Sequence, residues 1–487
     1  MKRYELLING RNVKPSSKKY FIDFNPATLK PIARFPLGNE KDLEKAIITA
    51  KKALPKWKNT PAPRRGQILL KIAEIMKERK QKLARGITEE MGKVLKETLG
   101  DVQEGIDIFE YMAGEGRRLF GNTTPSEMRN KSCYTIRQPI GVVGLITPWN
   151  FPIAIPSWKL APALICGNTC VIKPSSDTPR AVYSMLEIFK EAGIPDGVVN
   201  IVTGQGESVG AALIKHQEVN AISFTGSRDT GLYITKNAGI KKVGLELGGK
   251  NAILVMEDAD LNNAVEGILW GAFGTSGQRC TATSRLLVHK KIKKKLLNKL
   301  LTKTKKLRLG NGLNKKTDVG PLINKKAVEK VQKYVDIGKK EGKLLCGGFI
   351  PKINGNFYSP TIFEVKNTNK RIAQEEIFGP FLTVITIKNI QEAIKKINNT
   401  NYGLSSSIYT KSIVYAMKAI EEIETGIVYV NSPTIGAEVH LPFGGIKQTG
   451  NGTREAGIMG IEEFSEIKTV YIDYSGKLQK AQIDKVE

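Results

Sequence analysis

Cys280, in TSGQRCTATSR (275–285), is the residue whose type and surroundings suit covalent chemistry. A nucleophilic thiolate needs a lowered pKa and room for an electrophile, and Gly277 with the flanking hydroxyls offers an accessible turn at a helix end. The competing reading of a free cysteine is a small buried hydrophobe. Cys166 and Cys170, four apart in the apolar run APALICGNTCVIK, suit that second reading. Glu246, in LELGGK (245–250), closes an apolar run before two glycines. A carboxylate among apolar neighbours is pushed toward the neutral acid, which suits a general base. It could equally pair with Lys250 or cap the next turn. Asn150, in TPWNFP (147–152), can donate a side-chain hydrogen bond to an oxyanion or hold a loop.

Two glycine patterns follow apolar runs. TGQGESVG (203–210) misses G-x-G-x-x-G by one position, where Val209 stands, and reads as a plain strand-to-helix turn or a phosphate cradle. SFTGSRDTG (223–231) places Gly226 where backbone must approach closely and Ser227 at the start of a helix, with donors for a phosphate. Two such turns in one parallel sheet favour a nucleotide.

The elements that position these residues are legible as periodicities. Residues 40–120 carry apolar positions at helical spacing, among them Ile68, Leu69, Ile72, Ile75 and Met76. Short extended runs at 121–141 suggest a hairpin or arm. Apolar runs at 141–146, 169–173, 198–203, 220–224 and 242–247 then alternate with helical segments, the rhythm of a parallel sheet covered on both faces. A second series runs through 251–256, a helix from Leu261 to about Phe273, 285–289, a helix at 290–306, 381–387, 405–409 and 426–430. The expected fold is therefore α/β, with two parallel-sheet domains joined near residue 250. The tail strand 469–475 stands outside both series and is expected to pair with the 121–141 arm.

Composition narrows the class. The 487 residues suffice for two to four domains, and 25% charged residues is ordinary. The net charge of +28 admits nucleic acid, an anionic membrane or a polyanionic substrate, but the lysines are spread out and only Lys290–Lys295 (KKIKKK) is dense. A generally basic surface is the simpler reading. Five cysteines without a C-x-x-C pair and only three histidines leave almost no material for a zinc site, so no metal is expected. Reduced thiols in a cytoplasm fit best, and the N-terminus lacks the apolar stretch of a secretory signal. Gln138–Trp158 is uncharged for twenty-one residues, the length of a membrane span. Its four prolines and Asn150 oppose that, so it reads as a buried strand followed by a tight, Pro-rich loop.

TPWNFP, KPS, FTGS, LELGGK, GQRCT, EEIFGP and LPFGG occur together and in order, and by them the chain resembles the aldehyde dehydrogenase superfamily over essentially its whole length. It looks closest to the bacterial and archaeal semialdehyde-type members. The resemblance implies that the Cys280 thiolate attacks the aldehyde carbon, with the oxyanion held by the Asn150 side chain and the Cys280 backbone N–H. Hydride then leaves to the nicotinamide of NAD or NADP, and a water activated by Glu246 hydrolyses the thioester. It places Lys173 on the adenosine ribose, Gly226 and Ser227 at the pyrophosphate, Glu376 and Phe378 beside the nicotinamide, and Trp149 in the same cleft. Ser176 falls at the cofactor-selecting position, where a glutamate would repel a 2′-phosphate, so NADP is expected to be tolerated or preferred.

On the substrate side, the resemblance makes Arg279 a holder of a distant carboxylate or phosphate, against the reading of an arginine paired with a nearby acid. Glu104 matches a position that meets an amino group in aminoadipate semialdehyde dehydrogenases. An anionic semialdehyde or glyceraldehyde-type substrate follows. The family's organisation implies a cofactor domain at 1–121 and 142–250, a catalytic domain at 251–450, and an oligomerisation arm with C-terminal strand at 122–141 and 451–487. It also implies a homodimer or homotetramer. A CoA-acylating dehydrogenase is the sibling alternative, opposed by Glu246. A basic nucleic-acid-binding protein is the alternative from another class, opposed by the lack of any readable binding module. A cysteine hydrolase lacks a motivated Cys/His pair, since His289 and His440 lie in strand-end and loop contexts.

Overall fold

The computed structural model describes residues 1–484. Its first seven-stranded sheet runs Lys242–Glu246, Ala221–Thr225, Val142–Ile146, Thr169–Lys173 and Val199–Ile201, all paired in parallel. The hairpin Leu6–Ile8 and Arg11–Val13 extends it antiparallel at one edge. Alternate side chains of the central strands serve different cores. Val143, Leu145, Cys170 and Ile172 pack with Leu69, Phe109 and Trp158 on one face. Val142, Ile146 and Val171 pack with Leu43 and Ile47 on the other. A sheet covered on both faces needs strands apolar at every position, which is the pattern in the sequence.

The second seven-stranded sheet is ordered Lys343–Cys346, Thr361–Val365, Phe381–Ile387, Thr283–His289, Asn251–Val255, Ser405–Tyr409 and Ile427–Val430. Only the first of these is antiparallel to its neighbour. Ala252 and Leu254 enter one core, Ile253 and Val255 another. The expected α/β architecture with two parallel-rich sheets is thus present, and the helix expected from Leu261 spans Leu261–Phe273, its N-terminal amides capped by Asp260.

The arm is a three-stranded antiparallel sheet of Thr123–Pro125, Lys131–Pro139 and Ser465–Asp473, with pairing from Ser465↔Pro139 to Asp473↔Lys131. The expected pairing of tail and arm is found there. Between them, the helix Gly457–Glu463 sends Ile461 into the first core, joined by Phe464 just beyond its end. One expectation is corrected: the Pro-rich loop does not reach Trp158, because a helix opens at Ala154 and runs to Ile165. Pro156 lies in its first turn, where the missing N–H sacrifices no helical hydrogen bond. Among the described residues no helix is long and apolar enough to cross a membrane.

Candidate active site

In the first sheet Val142–Ile146 and Ala221–Thr225 are neighbours whose onward connections leave in opposite directions. Such a switch point opens a crevice at the carboxyl ends of the strands. The loops that follow carry Trp149 and Asn150 on one side, Gly226 and Ser227 on the other. Facing them are two turns that lead into the second sheet at its amino-terminal edge, one ending at Cys280 and one carrying Glu376 and Phe378. These seven residues line one cavity of about 190 Å³. Lys330 lines it too, a position without a sequence signal beyond a lysine in an amphipathic helix.

The turn before Cys280 is strained. Thr275 and Ser276 both adopt left-handed backbone, φ 52° and 55°, which non-glycine residues rarely do. Thr275 N–H donates to Glu97 Oε1 at 2.7 Å and the Ser276 hydroxyl to the Gly320 carbonyl at 2.7 Å, holding the conformation. Gly277 must be glycine, since a Cβ there would lie 2.1 Å from the Gly379 carbonyl oxygen. Asn150 donates from Nδ2 to the Gln278 carbonyl at 3.1 Å, leaving its second N–H unused. Cys280 is half-buried. Burial, then the Glu246 and Glu376 carboxylates, push its thiol up to about 12, against a pull downward from the Thr281 N–H. These influences favour the neutral thiol at pH 7.

Glu246 is 4% exposed, and its Oε2 is buried without a hydrogen-bond partner. Burial and then the Glu455 charge hold its carboxyl well above the usual range, with Lys159 opposing them. The Lys250 pairing open in the sequence is not made, because Lys250 donates to the Glu375 carbonyl at 2.7 Å. Instead the neighbours are a fully buried ion pair, Lys159 with Glu455, and Ser223, whose Oγ accepts from Lys159 at 2.8 Å. Sequence reasoning missed this group. Its one signal is Lys159 itself, the charge that ends the uncharged run from Gln138 and has to find a partner once buried.

The cofactor positions fit a dinucleotide. Lys173 is buried, and its ammonium makes one long hydrogen bond, to the Pro174 carbonyl at 3.3 Å, so donors remain for ribose hydroxyls. Burial lowers its pKa to about 8. Ser176 is exposed, with Oγ 3.5 Å from the Gly204 carbonyl. Ser227 caps the helix Arg228–Asn237, whose amino-terminal dipole faces the crevice. Gly206–Gly210 forms a single π-helical turn before a short helix. Glu376 Oε1 accepts from Gly249 N–H at 2.9 Å, and a Cβ on Gly248 would lie 2.4 Å from Oε2, which explains the glycine pair. Phe378, at φ 61°, meets Trp149 edge to face at 5.4 Å.

Arg279 and Glu104 lie outside this cavity lining. Arg279 donates to Thr275 Oγ1 at 2.8 Å, pairs with Glu97 at 3.5 Å, and lies over the Trp270 and Phe151 rings. Arg279 is thus engaged by Glu97 on one side, while its Nη1 makes no hydrogen bond among the described residues. Glu104 is half-buried and close enough to Arg279, Lys93 and Asp101 to feel their charges. Burial, then Asp101, push its carboxyl up to about 8.

A switch-point crevice built for a dinucleotide, facing a thiol across a small cavity, defines a nicotinamide-dependent oxidoreductase. Residues 13–470 match the aldehyde dehydrogenase family. Over 479 residues the chain is 41% identical to the α-ketoglutaric semialdehyde dehydrogenase of Bacillus subtilis, spanning 96% of this chain and 98% of that one. It is 41% identical over 478 residues to the 2,5-dioxopentanoate dehydrogenase of Saccharolobus solfataricus, with 97% and 99% covered. The crystal structure of betaine aldehyde dehydrogenase from Staphylococcus aureus in complex with NAD+ superposes with a TM-score of 0.95 at 35% identity, covering 99% of this chain and 97% of that one. The chain belongs to the aldehyde dehydrogenase family, and its reaction is NAD(P)-dependent aldehyde oxidation. Neither the CoA-acylating nor the nucleic-acid alternative is favoured.

Proposed function

We propose that the chain oxidises a short aldehyde with a carboxylate at its far end to the free acid, through a Cys280 thioester hydrolysed by Glu246-activated water. The observation that carries this is a half-buried thiol and an amide with a spare N–H lining one crevice, with the buried Glu246 carboxylate behind its wall and close enough for its charge to act on that thiol. Asn150 and the Cys280 backbone N–H stabilise the oxyanion, where preorganised donors contribute most. Glu246 takes a proton from water as its oxygen attacks the thioester carbon and sulfur departs. Trp149, Lys173, Gly226, Ser227, Glu376 and Phe378 would hold the dinucleotide, Lys173 at a ribose and Ser227 at the pyrophosphate. When bound, the oxidised nicotinamide would supply the hydride acceptor and a positive charge that favours the thiolate.

Arg279, over the Phe151 ring with Nη1 making no hydrogen bond among the described residues, supports an anionic substrate over a betaine-like cation, whereas the buried Lys93 is already neutralised by Asp101 at 2.8 Å. A neutral Glu104 carboxyl suits a hydroxyl or keto oxygen, and the names of the two semialdehyde-oxidising relatives point the same way. Turnover of an aldehyde panel, acidic against neutral, tests this. Arg279→Ala is expected to lower kcat/KM for acidic aldehydes roughly 10–100-fold, the loss of one charge-assisted contact, and that for neutral ones far less. Equal losses overturn the assignment.

Exposed Ser176 presents no carboxylate to a 2′-phosphate, which supports NADP being tolerated or preferred. Rates at saturating NAD and NADP check it, and a large NAD preference refutes it. Ser176→Glu lowers kcat/KM for NADP about tenfold or more while sparing NAD, because like charges brought together cost several kcal/mol. The arm exposes Ile136, Ile467, Tyr471 and Ile472, apolar surface that supports a homodimer or homotetramer built through it. All five cysteines are free, in keeping with a reducing cytoplasm.

A further inference from the structure

We infer that Glu463 is a positioning residue that sets the basicity of Glu246 from the far end of one buried charge cluster, an inference that rests on Glu246 being the general base. Glu463 ends the helix Gly457–Glu463 and is 6% exposed, with no close hydrogen bond and only the Ser223 hydroxyl near enough to ease its charge. A buried carboxylate held by so little is costly, so its retention in a helix that could carry a leucine there asks for a reason.

The register of the first sheet supplies one. Glu463 Oε1 occupies the space of a side chain at Gly244, where a Cβ would lie 2.1 Å away. Gly244 precedes Glu246 by two on the strand Lys242–Glu246, so both point to the same face. Ser223 and Thr225 stand beside them in register, Ser223↔Gly244 and Thr225↔Glu246. Lys159 descends onto that face, donating to Ser223 and pairing with Glu455. The cluster therefore holds three buried carboxylates, Glu246, Glu455 and Glu463, around one buried ammonium.

Glu455 is the carboxylate that Lys159 neutralises directly. Glu246 and Glu463 cannot both ionise cheaply beside it, so a charge on one disfavours a charge on the other. The remaining charges facing the cluster are Lys242 on Glu463's side and Arg454 on Glu246's side. Lys242 is committed outward, to the Glu462 and Ser465 carbonyls, and Glu462 pairs with Arg137 at the surface. Burial, then Glu455, raise Glu463 to about 7, so it gains charge in the range where hydrolysis by Glu246 is measured.

The test is the pH dependence of steady-state turnover in the NAD(P)-saturated full-length enzyme, with pre-steady-state NAD(P)H release separating thioester formation from hydrolysis. Glu463→Gln removes the competing charge and keeps the shape. Its rise in hydrolysis with pH is expected about one unit lower than wild type, with an unchanged burst. Glu463→Asp, which keeps the charge, retains the wild-type limb. Glu463→Ala, a second neutral variant in case Glu463→Gln misfolds, shifts in the same direction by the same amount. A superimposable profile for the neutral variants, or an equal shift in Glu463→Asp, overturns the inference. Glu246→Gln separates the two readings: normal hydrolysis in that variant removes the general base itself, whereas lost hydrolysis with an unmoved Glu463→Gln profile removes only the role of Glu463.

Discussion

Cys280→Ala loses aldehyde-dependent NAD(P)H formation by at least about 10⁴-fold, because no other group in the cavity can form the thioester and removing a nucleophile abolishes the covalent route. Cofactor binding, followed by fluorescence quenching of Trp149, is retained. Thermal unfolding stays close to wild type, since a half-buried sulfur contributes little packing. A sharper form of the prediction uses the neutral thiol. With its pKa at about 12, the thiolate fraction of ligand-free Cys280 rises about tenfold per pH unit above neutrality, and iodoacetamide labelling rises with it. Cys133, Cys166 and Cys170 are buried in the folded chain, leaving Cys346 as the other half-buried thiol. Cys346 lies on the edge strand of the second sheet, so Cys346→Ala keeps full activity and isolates the Cys280 signal. Turnover retained in Cys280→Ala would move the nucleophile elsewhere.

The turn that carries Cys280 shows which features a sequence exposes. Strands buried on both faces are continuous apolar runs, so Thr169–Lys173 and Phe381–Ile387 are legible to the residue. The three-residue strands Leu6–Ile8 and Arg11–Val13 are too short to show a period and exist because the sheet edge at Ile201 is there to receive them. Pro156 reads as loop by its type and is helical by its position. The site divides the same way. Residues on turns after strands, such as Asn150 and Gly226, announce themselves through prolines and glycines around them. Lys159 and Glu455 lie 296 residues apart in the chain, Glu463 lies further still, and no local pattern links them. Only folding creates the low-dielectric pocket in which their charges matter.

Glu246→Gln is expected to separate the two halves of the reaction. Glutamine keeps the shape and cannot take a proton, so thioester formation survives as a burst of about one NAD(P)H per active site. The following steady state falls roughly 10²–10⁴-fold, the usual contribution of a general base. The pH dependence has a definite sign. A base works when ionised, and this carboxyl is held well above the normal range, so wild-type hydrolysis climbs with pH through that raised value and the climb is absent from the variant. The same substitution acts on Cys280 in the opposite sense. The Glu246 charge is, after burial, the largest influence raising the thiol, so Glu246→Gln makes Cys280 more acidic and its labelling at a given pH faster. A loosened site would also expose the thiol and speed its labelling, so unchanged protection of the buried Cys133, Cys166 and Cys170 in Glu246→Gln is the control that separates the lost charge from misfolding. A burst lost along with the steady state would instead make Glu246 the acceptor of the thiol proton as well, placing its work before the thioester rather than after it.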